Sequence, residues 1–343
     1  MQLDHYRLLG RSGLRVSPLA LGTMTFAVDG WGSTDEEAAA MVDTYIDRGG
    51  NFIDTADFYG GMGGSEELLG RLIAGRRQPL VISTKYSLTT RPGDPNASGN
   101  HRKNMVRSVE DSLRRLGTDY IDLLYLHMWD YRAPVDEILR AFDDLIRQGK
   151  VLYAGLSDIP AWQASRMQAI ADLRGWNQFC ALQISYSLIE RTVERELIPM
   201  ARAMGMGVSP WSPLGGGVLT GKYAGGKSAS AREGMNLATG RLNAHSLAIA
   251  EVVAAVAGEI GCTAAQVALA WTMRDPVVTA PVLGVRTPAQ LEDNLGALAI
   301  TLDQAHLLRL DEASAVPMGF PHETLNSPHI GMAFGGVSVE RRD

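Results

Sequence analysis

An alternation constrains this chain more than anything else in it. Eight short apolar runs recur from Leu19 onward, each followed by a segment with helical spacing. The runs are Leu19–Leu21, 51–54, 80–84, 120–126, 151–156, 180–184, 206–211 and 277–283. Helical patterns fall at 34–48, 65–75, 101–116, 134–148 and 160–173, in a shorter stretch from Pro199, and at 244–260, 263–274, 287–296 and 302–314. In 101–116, Val106, Val109, Leu113 and Leu116 return at helical intervals, and Ser65 is placed to cap the helix over 65–75. Strands that are apolar throughout must be covered on both faces. Eight β-α units in 343 residues therefore predict a (β/α)8 TIM barrel rather than a doubly wound open sheet. No Pro/Ser-rich linker interrupts the series, so 1–343 reads as a single domain. Ahead of the first strand, Tyr6–Val16 reads as a β-hairpin around Gly10-Arg11-Ser12-Gly13. Beyond 314 a coil-like tail runs to Asp343, expected near the rim that carries the chemistry.

In such barrels reactive groups gather at the C-terminal ends of the strands. Here those ends are Gly22, Asp54, Lys85, His127, Ser157, Gln183, Trp211 and Gly284. Asp54, Lys85 and His127 end three consecutive strands, and Tyr59 follows the first of them by five residues. An ionisable group at the end of a buried run is costly unless paired. Singly, each has an ordinary explanation: a cap, a solvated lysine, a core histidine, an amphipathic rim tyrosine. Their coincidence at one rim does not follow from those readings. A tyrosine titrates near pH 10 and is a poor acid at neutrality, about three units too weak. A nearby ammonium favours the phenolate. Lys85 can supply that charge, Asp54 can hold Lys85 protonated, and His127 can position a carbonyl oxygen beside the Tyr59 hydroxyl.

Other classes are disfavoured. The net charge of −6 and a pI near 5.7 provide no basic face for nucleic acid or an anionic membrane. No apolar run spans a bilayer, and the N-terminal MQLDHYRLLG lacks the apolar core of a signal peptide. Two cysteines, Cys180 and Cys262, make no disulfide framework and point to the cytoplasm. The seven histidines show no paired metal-ligand spacing. The loop Ser212–Tyr223, SPLGGGVLTGKY, nearly matches a P-loop, but Tyr223 replaces the Mg²⁺-binding Ser/Thr and Ala-Gly-Gly follows where a helix should start. No Gly-x-Gly-x-x-Gly follows a strand, so a Rossmann site is absent. The glycines of 212–223 instead allow backbone N–H groups to approach phosphate, with Lys222 adding charge. Arg286, entering the helix after the eighth strand, suits a further phosphate by its planar fork.

FIDTADFYG, ISTKY, DYIDLLYLH and the hairpin LGRSGLRVSPLALGTMTF together resemble the aldo-keto reductase family over nearly the whole chain. GLSDIPAW, LHMWD and ALQISYSLIERTVERELIPMA are similar to its aryl-alcohol dehydrogenase-like branch. The resemblance implies reversible reduction of aldehydes or ketones to alcohols. Asp54, Tyr59, Lys85 and His127 would be the catalytic tetrad, with Tyr59 the proton donor. It implies NADPH/NADP+ rather than NADH. Ser157, Asp158 and Gln183 would hold the carboxamide, Trp211 would stack on the nicotinamide, and Ser212, Pro213, Leu214, Gly217 and Lys222 would hold the pyrophosphate. Arg286, Gln290, Asp293 and Asn294 would take the 2′-phosphate and adenosine, with Gly22, Thr23, Met24, Asp54 and Gly284 completing the cofactor set. Asp158 departs from the commoner Asn of the family and matches the branch.

The substrate, a small carbonyl or alcohol compound, is expected against Met24, Phe26, Tyr59, His127, Met128 and Trp129, with Tyr131, Tyr186 and Met318–Phe320 as further candidates. Two other functions compete, the first disfavoured by the intact tetrad and the second by Asp54, which opposes the depressed lysine pKa a Schiff base needs. One is an NADPH-binding regulatory or sensor subunit with little turnover. The other is a Schiff-base aldolase using Lys85. The sequence carries no signature of an oligomeric state.

Overall fold

Runs of wholly buried residues become eight parallel strands that close into a ring. The computed structural model describes residues 1–223 and 231–340. A hairpin of β1 (Arg7–Leu8) and β2 (Arg15–Val16) precedes the barrel. The barrel strands are β3 (Ala20–Gly22), β4 (Phe52–Asp54), β5 (Val81–Tyr86), β6 (Ile121–Leu126), β7 (Val151–Ser157), β8 (Phe179–Ser185), β9 (Gly207–Trp211) and β10 (Val282–Leu283). They pair in chain order, and β10 returns to lie beside β3. The ring shuts between β9 and the segment before β10, where Val208 donates to the Val277 carbonyl at 2.8 Å and accepts from Thr279 N–H at 2.8 Å. This is the (β/α)8 barrel that the alternation predicts.

Register sets the chemistry. Gly22 lies beside Asp54, Asp54 beside Ser83, Lys85 beside Tyr125, and Ser157 beside Gln183. The polar strand ends therefore share one rim. The opposite end is plugged by the hairpin, whose Leu9 and Val16 pack with Phe52, Val81, Leu123 and Tyr125. Gly10 makes that plug possible: its φ is +56°, and an added Cβ would stand 2.3 Å from the Cys180 carbonyl oxygen.

The surrounding helices are α1 (Asp35–Asp47), α2 (Tyr59–Leu72), α3 (Arg102–Leu116), α4 (Val135–Arg147), α5 (Ala161–Arg174), α6 (Leu197–Met204), α7 (Ala231–Ala238), α8 (Ala244–Ile260), α9 (Ala264–Thr272), α10 (Pro288–Leu295), α11 (Gln304–Ala313) and α12 (His322–Leu325). Side chains fix several of their starts. Thr34 with Glu37, Asn243 with Ser246 and Thr263 with Gln266 form reciprocal caps that satisfy otherwise orphaned N–H groups. Among the described residues, no single helix is long and apolar enough to cross a membrane.

The expected elements need four corrections. Ser65 does not cap a helix: it is buried and donates to the Thr23 carbonyl at 2.8 Å. Instead, α2 begins at Tyr59 and runs through Gly60, Gly61, Met62 and Gly63 with positive φ before regular helix sets in. The eighth strand is confined to Val282–Leu283, with Val278 making only an isolated bridge. The long loop after β9 contains α7, and the tail contains α12 and a 3-10 helix at Pro328–Phe334 rather than coil throughout. The Ala-Gly-Gly after Tyr223 and the last three residues of the tail, 341–343, lie outside the described residues.

Candidate active site

Asp54 sits at the centre of the rim. Lys85 Nζ donates to Asp54 Oδ2 at 2.6 Å and to the Thr55 carbonyl at 2.7 Å. Ser83 Oγ and Gln183 Nε2 both donate to Asp54 Oδ1, at 2.7 and 2.9 Å. Alternation along β5 puts Ser83 and Lys85 on the same inward face, so one strand supplies both a neutral and a charged donor. Both members of the pair are removed from solvent, Lys85 at 0% and Asp54 at 3% side-chain exposure. A buried ion pair survives when the remaining lone pairs are also satisfied, and here Asp54 accepts from three side chains.

Tyr59 packs over this pair. Lys85 Nζ lies 4.9 Å from its ring centroid, and the His127 ring meets it edge-on at 5.8 Å. The four residues that the sequence places on one rim thus come together. Their electrostatics differ from expectation in one respect. Burial raises the Tyr59 pKa, and the opposing pull of Lys85 does not overcome it. Burial disfavours the Lys85 ammonium too, but the Asp54 charge and hydrogen bond outweigh that cost and hold its pKa above the usual value. His127 moves the other way, down to about 3, through burial and then repulsion by Lys85. At neutral pH the cluster therefore holds a protonated phenol, an ammonium hydrogen-bonded to Asp54 and a neutral imidazole. The buried Nδ1 of His127 has no hydrogen-bond partner among the described residues.

From the tetrad a cleft of about 560 Å³ runs across the rim. Gly22, Met24, Ser157, Asp158, Gln183 and Trp211 line its middle, and Ser212, Pro213, Leu214, Gly217 and Lys222 follow. Gly284, Arg286, Gln290, Asp293 and Asn294 form the far end. Gly217 has a φ of +89°, and an added Cβ would stand 2.6 Å from Lys222 Nζ, so the ammonium lies directly over this glycine. Asp158 Oδ1 accepts from Trp211 Nε1 at 3.0 Å, which fixes the indole at the cleft wall. The backbone N–H of Arg286 donates to Gln290 Oε1 at 2.9 Å across the start of α10, and Arg286 is exposed at this far end of the cleft.

Several expected lining residues lie elsewhere. Thr23 is buried and turned to the Asp54 carbonyl, to which its hydroxyl donates at 3.2 Å. Phe26 is buried in the core with Leu21, Met41 and Ile53, and Trp129 likewise packs against core residues. Met128 is exposed outside the cleft, its carbonyl accepting from Asn100 Nδ2. Tyr131 is exposed and packs edge-on against Trp129. Tyr186 is buried against Trp271 and bonds Glu194. The tail docks on the loop after β8, where Arg195 Nε donates to the Pro317 carbonyl at 2.9 Å, and Phe320 is 87% exposed. Trp31, Phe58 and Leu88 line the cleft in their place. Phe58 adjoins Tyr59 in sequence, a signal that could have pointed to it. Trp31 and Leu88 carry no comparable mark.

The model of the aldo/keto reductase family matches residues 18–315. The chain belongs to that family. It is 38% identical over 332 residues to a norsolorinic acid reductase of Aspergillus flavus, covering 93% of this chain and 83% of that protein. It is 41% identical over 326 residues to an uncharacterized oxidoreductase of Bacillus subtilis, covering 92% and 97% respectively. An aryl-alcohol dehydrogenase of Pestalotiopsis microspora is 37% identical over 346 residues, covering 98% and 87%. This aldo/keto reductase is accordingly an oxidoreductase that acts on carbonyl groups of small molecules, in a family that uses a nicotinamide cofactor.

Proposed function

We propose that this aldo/keto reductase reduces aldehydes or ketones, aromatic ones among them, to alcohols with NADPH. The observation that carries the reading is the contact of Tyr59 with the fully satisfied Asp54–Lys85 pair at the head of a long cleft. A bound NADPH supplies hydride from nicotinamide C4. Ser157, Asp158, Gln183 and Trp211 would hold its nicotinamide end, and the Gly217–Lys222 loop its pyrophosphate. Thr23, turned into the fold, is left out of the cofactor set.

Tyr59 stays protonated through neutral pH, which suits it to give its hydroxyl proton to the carbonyl oxygen as negative charge builds there. His127, neutral, offers a second polar contact to the same oxygen without adding charge. Lys85 steadies the phenolate left behind, and Asp54 keeps Lys85 charged and in place. The same charge state makes Lys85 a poor Schiff-base nucleophile. Trp31, Phe58, Leu88 and Met24 give the mouth an apolar, partly aromatic lining that suits a flat carbonyl compound. The unpaired Cys180 and Cys262 fit a cytoplasmic enzyme.

Consumption of NADPH with a panel of aromatic and aliphatic aldehydes tests this reading. Turnover that varies with aldehyde class is expected. Tight NADPH binding with no turnover on any member would instead identify a cofactor-sensing subunit. For the cofactor choice, Arg286→Ala should weaken NADPH about tenfold while leaving NADH nearly unchanged. Equal losses in a fluorescence titration would remove Arg286 from the 2′-phosphate.

A further inference from the structure

A second cavity lies on the flank of the barrel, behind the loop that carries Tyr59. It opens to solvent over about 620 Å³ between α2, the loop after β5, and α3. Four arginines line it, Arg71, Arg91, Arg114 and Arg115, against two carboxylates, Glu67 and Asp111. Asp35 and Glu66, just outside the lining, pair with Arg71 and Arg115, so the cluster gathers guanidinium groups at one place without a net excess of charge.

The arginines are held in a way that leaves donors over. Asp111, 9% exposed, accepts from Arg91 Nη2 at 3.0 Å and also from Arg114, so one buried carboxylate anchors two guanidinium groups. Arg91 and Arg114 are themselves 53% and 72% exposed. Arg71 reaches Asp35 only at 3.4 Å, with both side chains largely in solvent. Exposed pairs of this kind are weakly held and yield readily to a better acceptor. Arg115 is different. Its Nε donates to buried Glu66 at 2.6 Å, while its Nη2 is buried with no hydrogen-bond partner among the described residues. A buried guanidinium N–H without an acceptor is costly, so Arg115 is held in place mainly by Glu66 and the pocket's accessible donors are those of Arg71, Arg91 and Arg114.

The wall facing Tyr59 is built for close approach. Gly63 has a φ of +121°, and a Cβ there would stand 2.6 Å from Arg115 Cδ. Met62 lines the cavity in a left-handed conformation, three residues after Tyr59. Gly63 therefore lets the backbone pass close against Arg115 before α2 becomes regular.

We propose that this flank cavity binds a small metabolite bearing a phosphate monoester. Such a group carries nearly two negative charges at neutral pH and presents three acceptor oxygens, matching forked guanidinium donors from several directions. The volume admits a body the size of a sugar attached to the phosphate. The site is separate from the cofactor cleft, and nothing in it depends on the reaction proposed above.

Calorimetric titration of the full chain with ribose 5-phosphate, and in parallel with inorganic phosphate, tests the proposal. Each is run at constant ionic strength against a sodium chloride control. Saturable one-to-one binding of ribose 5-phosphate is expected. It should weaken about tenfold in Arg91→Ala or in Arg114→Ala and vanish in the double variant, with an unchanged melting temperature reporting intact folding. It should persist in Arg286→Ala, which removes the cation at the far end of the cofactor cleft. Tighter binding of the sugar phosphate than of inorganic phosphate would mark the rest of the cavity as part of the site, and equal affinities would overturn the assignment of a metabolite body to it. No saturable binding, binding unaffected by the flank substitutions, or binding lost in Arg286→Ala would overturn the proposal as a whole.

Discussion

Asp54 and Asp57 stand three residues apart where the chain leaves β4, and their fates are opposite. Asp54 accepts from Lys85, Ser83 and Gln183 and lines the inner end of the cleft. Asp57 is fully buried, and neither of its carboxylate oxygens has a hydrogen-bond partner among the described residues. Burial, and after it the nearby charge of Glu66, pushes its pKa up to about 8. Glu66 itself is satisfied, taking Thr84 Oγ1 at 2.6 Å and Arg115 Nε at 2.6 Å. The difference shows that the surroundings of a buried carboxylate follow from the donors that tertiary structure delivers, not from residue type or position along the strand.

That contrast can be broken from either side. The larger effect belongs to the rim. Asp54→Asn leaves Lys85 buried without its counter-charge, and loss of one partner of such a pair costs about 3–5 kcal/mol. A lowered urea midpoint and a loss of turnover of about a hundredfold or more are expected. Near wild-type stability would mean that Ser83 and Gln183, not the charge, organise the rim.

The smaller effect lies behind it. In the unfolded chain Asp57 ionises near pH 3.8, whereas in the fold it keeps its proton to about pH 8. The folded state therefore holds a proton that the unfolded state has lost. Asp57's contribution to stability is fully present below about pH 3.8 and declines as pH rises through about 8. Asp57→Asn should raise the melting temperature at pH 8 while changing it little near pH 4. Its pH-stability curve should accordingly be flatter than that of the wild type. A parallel downward shift at every pH would show that Asp57 makes a stabilising contact.

Much of this was legible in the sequence, for physical reasons. Strands buried on both faces read as short apolar runs, so the barrel and its strand ends could be counted. Asp54, Lys85 and His127 were visible because each interrupts such a run. The start of α2 was hidden, since glycines that permit positive φ do not announce where a helix begins. The eighth strand shrank to Val282–Leu283 because residues 277–279 close the ring through Val208 alone. Apolar residues near the rim were the least readable. Phe26 and Trp129 turn inward while Trp31, Phe58 and Leu88 face the cleft, and side-chain direction in loops is fixed by packing that no local pattern records. The Tyr59 charge state was likewise a contest between burial and Lys85, decided by the depth of the site.

The most direct test of the catalytic assignment is Tyr59→Phe, assayed for both aldehyde reduction and NADPH binding. The ring and its packing on Lys85 are kept, and only the hydroxyl is removed. Reduction should fall by about a hundredfold to ten-thousandfold with NADPH affinity nearly unchanged. Turnover close to wild type would take the proton-donor role away from Tyr59 and contradict the assignment of the rim as a catalytic tetrad.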